Sequence, residues 1–199
     1  DGRCWMLTNL AYAGGGTNTY GDVKTLTNGT GDATTYTEPS YYISGGANAT
    51  LEPAEPSTST SGSGQYGYHY NWCAAMGAQL STSACAQAST PLPDADVSIC
   101  PAGWRLPTGG SGGELAALNT AVNGGLTSTD TGLLSGWFGQ RAGLWSGTSF
   151  MYQGSRAYYW STTQSNSDNN YILYTSSSEV IVLYNMPKLF GSSVRCTTL

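Results

Sequence analysis

Charge is scarce in this chain, and histidine nearly absent. Lys and Arg number 7 and Asp and Glu 12, so charged residues make up 10% of the 199 and the formal net charge is −5. The basic residues stand singly from Arg3 to Arg195. No Lys/Arg stripe is present to follow a phosphate backbone, so nucleic acid and anionic membrane are not expected partners. One histidine, His69, and no C-x-x-C pair leave a zinc site without ligands. No apolar run approaches the ~20 residues of a membrane span, so no direct membrane insertion is expected. A disordered chain of such low charge would also lack rings, yet this one carries 14 Tyr and 6 Trp, enough apolar surface to offset chain entropy.

What is present is ring and loop. The length suits one domain. Residues 13–65, rich in Gly, Thr, Ser, Asn and Pro, carry no sustained period and read as a loop-rich insertion, stiffest at Glu52-Pro-Ala-Glu-Pro56, with short strands around Val23–Leu26 and Tyr41–Ile43. Asn28-Gly-Thr30 and Asn48-Ala-Thr50 match the glycosylation acceptor pattern, which arises by chance in such a composition. Trp5–Leu10 suits a first strand. Tyr66, Tyr68, Tyr70 and Trp72 alternate with Gly67, His69 and Asn71, the period of a half-buried strand. His69 falls on the opposite face and is expected at the surface or bonded to a loop, not as a catalyst.

One helix is well signalled. Thr108–Ser111 offers caps, Glu114 sits at the positive end, and Leu115, Leu118 and Val122 share a face before Gly124-Gly125 stops it. Ala74–Leu80 predicts a second, shorter helix, broken by Gly77 or starting after it. From Leu144 onward, Tyr158–Thr162, Tyr171–Thr175, Glu179–Tyr184 and Ser192–Thr197 predict an antiparallel meander. Five cysteines suit disulfides in an oxidising compartment.

The order of Asp1-Gly-Arg-Cys-Trp-Met-Leu-Thr-Asn-Leu10, Tyr66-Gly-Tyr-His-Tyr-Asn-Trp72, Cys100-Pro-Ala-Gly-Trp-Arg-Leu-Pro-Thr108, Tyr158-Tyr-Trp-Ser-Thr-Thr163 and Ser193-Val-Arg-Cys196 resembles the Fibrobacter succinogenes major paralogous domain. The resemblance implies a C-type-lectin-like α+β domain spanning 1–199, with two helices, a twisted antiparallel sheet and the 13–65 insertion. Since the chain opens at Asp1 inside a motif, a trimmed product is expected, with any signal or anchor upstream. The resemblance also implies a Cys100–Cys196 disulfide. Cys73–Cys85, close in sequence, is the expected second bridge with Cys4 unpaired, and Cys4–Cys73 with Cys85 left over is the alternative. Trp104 and Trp160 lie inside the motifs and are expected in the core, whereas Trp137 and Trp145, in glycine-flanked loops, suit either core or sugar stacking.

No metal or other cofactor is expected. The lectin calcium pattern is not matched: Glu38-Pro-Ser40 lies in the insertion, Ser161-Thr162 follows Trp160, and only Asp168 and Glu179 are carboxylates beyond Asp130. The sulfatase-modifying enzymes that share the fold use a reactive cysteine pair near the C-terminus, where this chain has only Cys196, so an enzyme of that type is the weaker alternative to a non-catalytic protein.

Large apolar, aromatic and amide residues stand between the scaffold phrases of the C-terminal region 144–199. The candidate ligand-binding residues are Phe150, Met151, Tyr152, Gln153, Ser155, Arg156, Gln164, Asn166, Asp168, Asn169, Asn185, Met186, Lys188 and Phe190. This arrangement is similar to that of the variable proteins of diversity-generating retroelements. An extracellular or cell-surface binding protein is therefore expected, a monomer or small oligomer recognising a surface protein or glycan. A structural subunit or adhesin of a bacterial surface layer or pilus is the alternative.

Overall fold

The computed structural model describes residues 2–12, 17–18, 21–22, 27–28, 40–42, 66–77 and 98–198. Along the chain these form Thr17–Asn18 (β1), Gly21–Asp22 (β2), Thr27–Asn28 (β3), Ser40–Tyr42 (β4), His69–Tyr70 (β5), Trp72–Ala75 (α1), Trp104–Arg105 (β6), Glu114–Asn123 (α2), Thr131–Gly136 (α3), Leu144–Trp145 (β7), Phe150–Met151 (β8), Arg156–Gln164 (β9), Asn169–Ser176 (β10), Glu179–Pro187 (β11) and Thr197–Thr198 (β12). The result is a mixed α/β fold with few helices and several small, mostly antiparallel sheets. The expected strand at Val23–Leu26 and the rest of the 13–65 insertion lie largely outside the described residues, although Tyr41 and Tyr42 do fall in β4.

Aromatic and β-branched residues recur in clusters through 156–187, and they form the expected meander, in the order β11-β10-β9. One face of this sheet sends Tyr158, Trp160, Ile172, Tyr174 and Met186 into a core shared with Tyr70, Trp72, Leu106 and Val194. The opposite face sends Ala157, Tyr159, Leu173 and Val180 against Leu115, Leu118, Leu133 and Trp137. Burial on both faces explains why these strands carry rings and aliphatics in unbroken runs, at 157–160, 171–174 and 180–184.

The fourth expected strand goes elsewhere. Ser192 bridges Tyr70, Ser193 bridges Tyr159, and Thr197–Thr198 pairs with Trp104–Arg105. The Trp5–Leu10 segment lies along the same run: Trp5 bridges Thr197, the Met6 amide donates to Cys196 O at 2.9 Å and the Leu10 amide to Val194 O at 2.9 Å. Alternation marks 192–197 as extended but cannot name its partners. The Arg195 guanidinium, nearly inaccessible, donates to Asn9 Oδ1 at 2.6 Å and to the carbonyls of Trp137 at 2.7 Å and Phe138 at 2.8 Å. Burial lowers its pKa, and these three hydrogen bonds with the Trp137 and Tyr159 rings beside it make the buried cation tolerable.

The long helix α2 starts as its sequence suggests, through an unusual cap. Gly113 holds the N-cap position, and Thr108 acts from outside: its Oγ1 accepts from the Glu114 amide at 3.0 Å while its own amide donates to Glu114 Oε2 at 2.9 Å. Gly124, at φ 64°, ends the helix. The shorter helix begins earlier than expected, at Trp72, because the Asn71 side chain accepts from the Ala74 amide at 3.0 Å. Gly77 follows it, and residues 78–80 lie outside the described residues. Helix α3 has no counterpart in the sequence reading. It is short, carries two glycines and is set by a neighbour: Asn123 Oδ1 accepts from the Gly132 amide at 2.8 Å and Asn123 Nδ2 donates to Thr129 O at 2.8 Å.

Cys100 and Cys196 are disulfide-bonded across 96 residues. Cys73 is also disulfide-bonded, and Cys85, its expected partner, lies outside the described residues. Cys4 is an exposed free thiol, which removes the Cys4–Cys73 alternative.

Candidate functional site

The candidate residues fall at opposite ends of β9. Arg156 opposes Ser176 at one end, and Gln164 opposes Asn170 at the other. Eight residue steps of extended chain separate them, about 26 Å. The fourteen positions therefore do not make one patch.

At the first end, β7 and β8 form a hairpin that leads into the 152–155 turn. Phe150 is half-buried, its ring 5.0 Å from Trp145 and 5.1 Å from His69. Met151 and Tyr152 stand out, with 37% and 40% of their surface exposed. Tyr152 holds φ 62°, a left-handed conformation that a bulky residue seldom adopts. The turn is pinned from several sides. The Gly154 amide donates to Arg141 O at 2.8 Å, while Ser155 Oγ and the Arg156 amide donate to Tyr152 O at 2.9 and 3.0 Å. Gly143 lies directly beneath: a β-carbon there would stand 2.2 Å from Met151 O.

Arg156 is the centre of this end. Its guanidinium carbon sits 4.1 Å from the Tyr152 ring centroid and 6.0 Å from that of Tyr174, and its side chain hydrogen-bonds Tyr158. Behind it, Tyr158 and Tyr174 meet edge to face at 5.3 Å, and Tyr174 stacks on Tyr184 at 4.9 Å. Burial pushes the Tyr158 hydroxyl pKa up to about 12, against the pull of the Arg156 hydrogen bond. Tyr158, Tyr174 and Tyr184 were not among the expected site residues. The Tyr158-Tyr-Trp160 phrase reads as scaffold, and only the fold shows that its first ring backs a half-buried arginine.

The second end is a self-bonded loop. Asn166 Oδ1 accepts from the amides of Asp168 and Asn169, both at 2.9 Å. Lys188 organises it from inside: Nζ donates to Gln164 Oε1 at 2.7 Å and to Ser167 O at 2.8 Å, and lies 4.6 Å from the Trp72 ring. Burial lowers its pKa to about 8, with the Asp168 charge opposing. Lys188 is 2% and Met186 1% exposed, so neither is the surface contact the sequence suggested. The reason is a β-bulge in β11, where Ile181 opposes Tyr174 but Tyr184 opposes Ile172. The extra residue exchanges the two faces and the strand runs on to Pro187, past the expected end at Tyr184, so Met186 joins the core and Lys188 turns in toward Trp72. Asn185 remains exposed, and Phe190 is half-buried against the core.

His69 is fully buried and not at the surface. β4 and Ser192 pair the two edges of this strand, and the Phe150 ring, 5.1 Å away, covers the imidazole. Its Nε2 lies 3.1 Å from Ala142 O. Burial lowers its pKa to about 4, outweighing the Ala142 and Gly143 backbone. Trp160, Trp137 and Trp145 are buried and Trp104 is half-buried, which assigns Trp137 and Trp145 to the core.

The remaining charges are scaffold. Glu114 binds Arg105 through both oxygens and Arg3 at 2.9 Å; burial would raise its pKa, but the Arg105 and Thr108 hydrogen bonds and the two positive charges lower it. Asp130 receives Arg141 at 2.7 Å. Among the described residues no three His, Cys, Asp or Glu side chains gather, and Asp168 and Glu179 sit at opposite ends of the meander.

The geometry defines a disulfide-pinned mixed α/β domain with a polar and aromatic rim on a ring-filled base. The chain belongs to the Fibrobacter succinogenes major domain family, whose model matches residues 1–197. No curated protein and no solved structure matches it.

Proposed function

We propose that this protein is a non-catalytic binding domain, secreted or displayed at the cell surface, that recognises a surface protein or glycan through the Tyr152–Arg156 end of a C-type-lectin-like scaffold. The observation that carries this reading is the pairing of exposed Met151 and Tyr152 with a backing of buried Tyr158 and Tyr174. Rim residues on such a base can change without unfolding the domain. That is the requirement for a receptor diversified by a retroelement, and residues 150–156 are where its variants would differ first. The sulfatase-modifying alternative is left without a free Cys196 thiol, since that sulfur is bonded to Cys100.

The test screens the domain and its Tyr152→Ala, Gln153→Ala and Trp160→Ala variants against immobilised surface glycans and surface proteins. The rim variants should keep the melting temperature and lose the partner, while Trp160→Ala should lose about 3–5 kcal/mol of stability. The reverse pattern would overturn the assignment of face and core. Light scattering separates the reading from a surface-layer or pilus subunit, which would polymerise instead of remaining a monomer or small closed oligomer.

A further inference from the structure

Arg156 differs from every other described cation. Arg3 and Arg105 are committed to Glu114, Arg141 to Asp130, Arg195 to Asn9 and two carbonyls, and Lys188 to Gln164 and Ser167. Among the described residues Arg156 has no carboxylate partner. None stands in the sequence between Asp130 and Asp168. Glu179 shares its row across the sheet, two strands away through Ser176, about 10 Å by strand spacing, and forms no ion pair with it. Yet the guanidinium is not loose. The Tyr152 ring holds its plane, the Tyr158 hydroxyl takes one hydrogen bond, and the strained backbone of Tyr152 is pinned in place to make this possible.

A guanidinium held in this way has already lost much of the side-chain freedom that binding would cost, and it keeps N–H groups suited to the two oxygens of a carboxylate. Exposed Met151 and Tyr152 beside it supply apolar contact, and Arg, Tyr and Met are enriched in protein interfaces. Resting on the recognition face proposed above, we infer that Arg156 is the receptor for an Asp or Glu side chain of an acidic peptide segment on a protein partner, flanked by apolar residues that pack on Met151 and Tyr152.

The experiment probes the whole domain with an array of nine-residue peptides, each carrying one Asp or Glu between aliphatic or aromatic residues, and with a matched array carrying Asn or Gln. Binding should be confined to the acidic array, with affinities at least tenfold above the amide counterparts. Arg156→Gln, with an unchanged melting temperature, should weaken those peptides by about 30-fold, the loss expected for an interface anchor. Equal binding to both arrays overturns the inference, and it needs no variant to read. Polygalacturonate is the sugar arm: binding to it through Arg156 with no acidic peptide bound also overturns the peptide assignment. A surface partner that needs Tyr152 but ignores Arg156→Gln sinks the carboxylate receptor and leaves the recognition face standing. A partner indifferent to both sinks the face itself.

Discussion

At the scale of single residues, the buried groups govern how the protein responds to its surroundings. His69 is neutral in the folded state down to about pH 4, but an unfolded chain protonates it near its ordinary 6.5. Its contribution is complete above pH 6.5 and is lost as pH falls toward 4, because over that range only the unfolded chain takes the proton. Between pH 6.5 and 5 the loss should be about 2 kcal/mol, read by urea denaturation at stepped pH. Below that, Glu114 adds a loss of the same sign, since its lowered pKa makes protonation costly to the fold. A flat stability profile between pH 6.5 and 5 would show that His69 titrates normally. The sequence could not announce this. Alternation in Tyr66–Trp72 placed His69 correctly on the face opposite the tyrosines, but only the arrival of Ala142 and Phe150 from a distant part of the chain closes that face to water.

At the scale of elements, the meander was readable because its strands repeat rings and β-branched residues between polar turns. Two things were hidden. One is the β11 bulge, which takes Met186 and Lys188 inward and leaves no local trace in sequence. The other is the interdependence of loop and strand at the far end of the sheet, where an ammonium inside the fold holds the 164–169 loop outside it. Lys188→Met keeps the aliphatic stem over Trp72 and removes the donor, leaving Gln164 Oε1 and Ser167 O without it. The expected cost is about 1–3 kcal/mol. Amide exchange should rise at Asn166–Asn169 while the Tyr158–Trp160 segment stays protected. Uniform exchange across the sheet would instead mark Lys188 as part of the global core. Helix α3 was unreadable for a related reason: with Gly132 and Gly136 in six residues, it depends on Asn123 of the preceding helix.

At the scale of the whole molecule, the family motifs carried the most information. They foretold the Cys100–Cys196 pairing and the buried ring set, and they left the rim to be located by the fold. That disulfide ties the segment before the long helix to the run that joins three of the sheets. In the chain-entropy view it should contribute ~4–5 kcal/mol. Replacing both cysteines by serine should lower the urea midpoint accordingly, and an unchanged midpoint would mean the packing of residues 192–197 alone holds the chain closed.

That same run has a consequence for synthesis. Within seven residues, 192–198 contact Tyr70, Tyr159, Leu10, Met6 and Arg105. A nascent chain translated as far as residue 190 already holds the tyrosines, the helices and the meander, but lacks the piece that stitches them together. The core that holds Val194 and Cys196 cannot close until this stretch emerges from the ribosome, so that part of the domain cannot fold vectorially from its N-terminus. Contacts of such long sequence separation also make closure slow. A chain exported during its own synthesis would therefore cross the channel with that core still open, and Cys100 would meet an oxidant before its partner Cys196 had arrived.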